Sequence, residues 1–341
     1  MKARRGGPVA WVAAAAVPAM MLTGCANGDG GSGGTGSGGE IELTLAHSYN
    51  ESQPQHRCGA QVIADEVEAA DVGLSVEIFP SSQLGGDADR ISAVASGDID
   101  LDIQGASALG AVYEPISVLD AAYVFDDADH LAAFMASDES RTVIDGFAES
   151  AGVQTLGAWS AGARHFTANE PIREPDDLQG LRIRFPGSPQ FLLNAQALGA
   201  SATEVAYEEL YLALQQGTVD GQENPITNIE AQNLAEVQDY LSLTAHQLNT
   251  NLVIAGPVWN DLSDEQQAAL TAAVESAVAQ VTECVTEDEE ATIEEWRAGG
   301  DWEVVDDVDI DAFREAALAY LEGAYTDDSL AVFEAIRATA G

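Results

Sequence analysis

Residues 41–48, IELTLAHS, alternate apolar and polar side chains and are rich in strand formers, which predicts a β-strand ending near His47. Residues 55–70, QHRCGAQVIADEVEAA, repeat apolar positions every three to four residues, the period of a helix with one buried face. GLSVEIFP, 73–80, predicts a second strand closed by Pro80, and DIDLDIQG, 98–105, a third. Between them a Gly-broken loop leads into a short helix that stops at Gly97. The order strand–helix–strand–helix–strand implies parallel strands joined by crossover helices.

The pattern continues less regularly. Residues 110–150 are helical or irregular with a break at Pro115, 153–160 is strand-like, GARHFTAN follows it, and 171–180 is turn-rich. LRIRF, 181–185, predicts a short strand ended by Pro186. Helices follow over 188–200, with Ser188 as N-cap and Gly199 near the end, and over 204–217, stopped by Gly217. TVDGQENP, 218–225, predicts a strand running into a turn; residues 240–256 fit two strands or one long bent one. Residues 262–299 form a single long helical pattern, with Ser263 and Gln266 in capping-box spacing. A strand at 301–306 and two helices close the chain. Two β/α halves and one very long helix predict an α/β class, with two lobes joined by crossing segments and a ligand crevice at strand C-terminal ends between them.

The first residues stand apart. A basic start, an apolar run and LTGC, Leu22–Cys25, have the layout of a secretory signal peptide over 1–24. Leu-x-Gly-Cys resembles the bacterial lipobox, which implies lipidation of Cys25 and a Gly/Ser-rich tether over 25–40. An ordinary signal peptide with a coincidental Cys is the plainer alternative. The chain would then lie outside the cytoplasm, anchored by lipid to the outer face of the cytoplasmic membrane.

Charge narrows the function. The sequence carries 13 Lys plus Arg against 57 Asp plus Glu, a net charge of -44, which argues against nucleic acid as a partner. The signal segment holds Lys2, Arg4 and Arg5; the ten cations left are all arginine, and Arg164, Arg173, Arg182 and Arg184 fall within 21 residues. In so acidic a chain such an island can hold an anion, and a guanidinium fork matches a carboxylate. Arg164 and Arg184 each follow a strand-like run, and Asn224 could donate to the same anion. The plainer reading of any one arginine is a surface pair with a nearby acid. Serine-hydrolase, P-loop, zinc-protease and dinucleotide motifs are absent, so no enzyme, no cofactor and no metal site is predicted. Cys58 and Cys284 are either a disulfide or two free thiols.

FPSSQLGGD (79–87), GDIDLDI (97–103), ARHFTANEPI (163–172), DLQGLRIRFPGSP (177–189), the run from Ala197 to GTVDGQENP and EVQDYLSLTAH (236–246) resemble, in order, the solute-binding subunit of TRAP transporters, the DctP type. The resemblance implies a two-lobed periplasmic-binding-protein-like fold, with lobe I over 41–161 plus 250–289, lobe II over 162–249 plus 290–341, and the long helix spanning both. It implies Arg184 as the clamp on the ligand carboxylate, with Arg164, Asn224 and Tyr207 beside it and Gln83, His47 and Ser107 at positions that vary with ligand. Arg182 matches a site that is merely often basic. The implied solute is a small organic acid anion (a dicarboxylate, sugar acid or keto acid), and the implied partner a TRAP membrane permease. A ligand-sensing subunit for a signalling receptor would use the same residues.

Overall fold

The structure is a computed structural model in which residues 40–300 and 302–340 are described. The signal segment, Cys25 and nearly all of the tether lie outside the described residues.

Among the described residues nine strands form one mixed sheet: β1 Ile41–His47, β2 Leu74–Phe79, β3 Leu101–Gly105, β4 Gln154–Ala168, β5 Arg182–Phe185, β6 Ser201–Glu204, β7 Gly221–Pro225, β8 Tyr240–Ala255 and β9 Glu303–Val305. Their order is β2-β1-β3-β8-β4-β7-β5-β6, with β9 against β8. β1 pairs in parallel with β2 and β3, as the strand–helix alternation requires, and β5 pairs in parallel with β6 and β7. All three parallel strands at each end therefore point their C-terminal ends the same way within their group.

β4 and β8 are the crossing segments. β8 is one strand of 16 residues, bent at Ala245, a non-glycine residue with φ of 43°. β4 is likewise continuous over 15 residues, where periodicity had separated 153–160 from the stretch that follows. β3 adds to residues 251–255 of β8, and β7 adds to residues 164–168 of β4. Between these attachments the β4–β8 register slips: Ser160 faces Thr250, but Ala163 faces Leu248, so Ala161 and Gly162 bulge opposite Asn249. Gly162 has φ of 98°, a conformation that residues with side chains rarely adopt, and a Cβ there would also press on Glu289 Oε1 of the long helix.

That helix, Asp264–Gly299, starts at the Ser263–Gln266 capping box and ends at Gly300 in the left-handed region. Its Leu270, Val274, Ala277 and Val281 pack with Ile63, Val67, Leu43 and Leu101 in one core on β1–β3. A second core joins the other face of the sheet, including Phe166, Ile183 and Phe185, to Phe313 and Leu321 of the helix Ile310–Ala324. Cys58 and Cys284 are joined as a disulfide, tying the segment after β1 to the long helix. The region 204–217 differs from its expectation. β6 takes Ser201–Glu204, and only short helical turns, Tyr207–Glu209 and Leu210–Gln215, follow it before Gly217. A four-residue edge strand of Ser, Ala, Thr and Glu has no apolar alternation by which to recognise it. No described helix is long and apolar enough to cross a membrane.

Candidate functional site

Arg184 and Arg182 share β5 but not their surroundings. The Arg182 guanidinium is half exposed and grips Asp220, with Nη2 at 2.6 Å and Nε at 2.9 Å from the carboxylate. Arg184 is buried, because its neighbours Ile183 and Phe185 fix the strand in the core and turn its side chain to the covered face. Its Nε donates to the Val205 carbonyl at 2.8 Å; its Nη1 is buried with no hydrogen-bond partner. No carboxylate among the described residues pairs with it. Burial pulls its pKa down to about 10, the nearby Arg164 adds to that, and Glu223 opposes it.

Arg164, on β4, is also buried, but each of its three guanidinium nitrogens donates within the protein. Nε and Nη2 grip both oxygens of the Glu223 carboxylate, Nη1 donates to Asn249 Oδ1 at 2.8 Å, and Nη2 reaches Asn224 Oδ1 at 3.1 Å. Phe191 lies under the plane, 4.7 Å from the guanidinium carbon. Burial acts to raise the Glu223 carboxyl; Arg164 and His246 outweigh it and hold it below the ordinary glutamate range. His246 Nε2 stands 3.3 Å from Glu223, its ring stacks on Phe166, and burial keeps it neutral by lowering its pKa. The charge of Arg164, expected beside the ligand, is balanced inside the protein, and Asn224, expected there too, donates to Gln222 at 2.6 Å and joins the same network.

The remaining candidates stand at ends of strands. His47 closes β1 fully buried; its Nε2 is 3.2 Å from His56 Nδ1, and its Nδ1 has no partner. Burial, followed by His56 and Arg90, drives its pKa down to about 3, so the ring is neutral. Ser107 follows β3; its amide donates to Asp120 Oδ2 at 2.7 Å while its Oγ is buried without a partner. Asp120 in turn accepts from the Thr250 amide, next to the Asn249 that Arg164 grips. Tyr207 lies two residues beyond the Val205 carbonyl held by Arg184, with its Oη buried and unpartnered. Gln83 is exposed in the turn after β2. Its neighbour Ser82 makes the contact instead: the Ser82 amide donates to the His47 carbonyl, and its Oγ donates to Glu208 Oε1 at 2.6 Å, beside Tyr207. Bonds and short chain steps thus connect the groups: Arg184 to Val205, on along the chain to Glu208, and by Ser82 to His47; and Arg164 to Asn249, its neighbour Thr250 to Asp120, and Asp120 to Ser107. Sequence reading missed Glu223, His246, Asn249 and Ser82. Glu223 had a visible signal, lying within GQENP next to Asn224 in an acid-rich chain where no single acid draws notice.

Arg184 Nη1, His47 Nδ1, Ser107 Oγ and Tyr207 Oη are all buried without a partner, and such groups are ones a polar ligand can satisfy. With two long strands crossing between the sheet halves, this defines a two-lobed α/β binding protein. The family model for bacterial extracellular solute-binding protein, family 7 (DctP), matches residues 45–328, and the chain belongs to that family. The sialic acid-binding periplasmic protein SiaP of Vibrio cholerae serotype O1 is 32% identical over 259 residues, covering 75% of this chain and 80% of SiaP. A TRAP periplasmic solute-binding protein from Polaromonas sp. JS666, bound to D-erythronate, superposes with a TM-score of 0.82 at 30% identity, over 88% of this chain and 99% of that one. A second, from Bordetella bronchiseptica with density taken as pantoate, gives 0.81 at 31% identity, over 88% and 100%. These relatives are solute-binding proteins, not enzymes.

Proposed function

We propose that the chain is the solute-binding subunit of a TRAP transporter, capturing a small organic acid by its carboxylate and handing it to a membrane permease without chemical change. The observation that carries this reading is Arg184. It is a buried guanidinium whose Nη1 has no partner, in a chain where nearly every other arginine pairs with an acid. A carboxylate would supply the missing acceptors in bidentate form. The relatives named above, found with D-erythronate or named for sialic acid, bind solutes that fit such a clamp.

The lobes of this reading divide at the Ala161–Gly162 bulge, with 41–161 plus 250–289 on one side and 162–249 plus 290–341 on the other. Among the contacts that cross between them are two clasps near the strand ends: Ser82 to Glu208, and Gln53 Nε2 to Asn228 Oδ1 at 3.0 Å. Ligand contacts made only when both clasps form would favour closure, and Tyr207, His47 and Ser107 offer such contacts. Arg164 and Asn224 act by fixing the floor beneath Arg184, and Gln83 by membership of the Ser82 turn. A signal peptide over 1–24 and lipidation of Cys25 would hold the protein at the outer face of the cytoplasmic membrane, within reach of the permease. Titration calorimetry of the mature chain against a library of organic acids tests the reading. One or more carboxylates should bind, and Arg184→Ala should abolish the heat; a variant that binds as tightly as the parent removes Arg184 from the site.

A further inference from the structure

We propose that the site takes a monoanion, a short hydroxy- or oxo-monocarboxylic acid, and excludes dicarboxylates of the same length. This deepens the reading above and rests on Arg184 as the clamp. The argument is one of charge. No lysine occurs among the described residues, and eight of the ten arginines there have a carboxylate in salt-bridge contact. The two without are Arg184 and Arg314, and Arg314 lies over the Tyr123 ring, 5.6 Å from its centre.

A second carboxylate would need a second cation. Arg164 is nearest, but all three of its nitrogens already donate within the protein, and Glu223 cancels its charge. Arg90 lies on the His47 side, buried between Asp102 at 3.0 Å and Asp87 at 3.0 Å, with Nη1 on the Gly85 carbonyl. Three histidines around these groups offer no charge: His47 is neutral with its pKa near 3, and burial lowers both His56 and His246. Asp87 and Glu208 stand on the same side and would repel an anion there. A second carboxylate would therefore be buried unpaired or forced to take up a proton, both unfavourable. A hydroxyl meets no such penalty. His47 Nδ1, Ser107 Oγ and Tyr207 Oη are neutral, unpartnered and able to donate to it or accept from it.

The test uses the mature chain unaltered and acids matched so that only the far end changes: D-erythronate against meso-tartrate, 4-hydroxybutyrate against succinate, and L-galactonate against galactarate. Each pair replaces a terminal CH2OH by a carboxylate on the same carbon count. Calorimetry or thermal shift should show binding of at least one monoacid, with its diacid partner weaker by about 100-fold or more. A diacid that binds within about threefold of its monoacid, or tighter, overturns the proposal while leaving carboxylate capture intact. If no monoacid and no diacid binds at all, the clamp reading falls and the proposal with it, an outcome plainly different from a preference for diacids.

Discussion

Replacing Arg184 by methionine should move stability and affinity in opposite directions. Arg184 is 2% exposed and lacks a carboxylate partner, so the folded protein bears the cost of desolvating its charge. That cost is the fall of its pKa from 12.5 to about 10. At neutral pH, below both values, the whole penalty is present, roughly 3 kcal/mol. Methionine of similar length removes it, and forfeits the bond to the Val205 carbonyl, which is worth about 1 kcal/mol. The ligand-free variant should therefore be more stable by about 1–2 kcal/mol, a rise in Tm of about 2–5 °C for a chain of this size. With ligand the sign reverses. The carboxylate loses its buried partner, and truncating one side of such a pair costs about 2–5 kcal/mol, or roughly 30-fold to several thousand-fold in Kd. Thermal denaturation with and without a binding acid, beside calorimetry, reads both effects in one series. A ligand-free Tm that falls by several degrees, together with a Kd within about threefold of the parent, would refute the reasoning, since that is what a structural arginine does.

Glu223→Gln should show the contrary behaviour: it strands the Arg164 charge in the core, so the ligand-free protein should lose about 3–5 kcal/mol in denaturant unfolding. Because the Glu223 pKa is lowered in the fold, its share of stability is present at neutral pH and lost as pH falls through the folded value, and the variant should lack that acid-side loss. Glu289 titrates the other way. Burial against the Gly162 bulge raises its carboxyl from 4.5 to about 8, so stability should decline as pH rises from about 5 to 8 and level off above. Asp102 and Asp120 share that sign, so the check is the difference between parent and Glu289→Gln, which should grow across that window; a constant difference sinks the assignment. Reduction of Cys58–Cys284, which closes a loop of 226 residues, should add two hydrogens to the intact mass and destabilise by about 5 kcal/mol, and an unchanged mass under reductant would show free thiols.

What could be read from the sequence follows the range of the forces involved. Hydropathy period and capping chemistry are local, so β1, β2, β3, β5 and the long helix with its Ser263–Gln266 box were legible as they stand. The crossing strands were legible as apolar runs but not as single elements. The bulge in β4 at Gly162 lies against Glu289, more than a hundred residues away in the chain, and no local pattern announces that neighbour. The short strand β6 was not legible at all, since its Ser-Ala-Thr-Glu is ordered by pairing with β5 rather than by any face of its own. The site shows the same limit more sharply. Arg164 and Arg184 look equivalent in sequence: both scarce cations, both within strand-like runs. What separates them is a partner. Glu223 lies 59 positions from Arg164 and is brought against it by the antiparallel pairing of β4 with β7, whereas Arg184, on β5 beside β7, meets a carbonyl and empty acceptor positions. Scarcity of cations drew attention to both; only the fold decides which charge is already balanced. Two arginines less one glutamate leave one positive charge unbalanced, and on the proposed reading that is the charge a ligand carboxylate would meet.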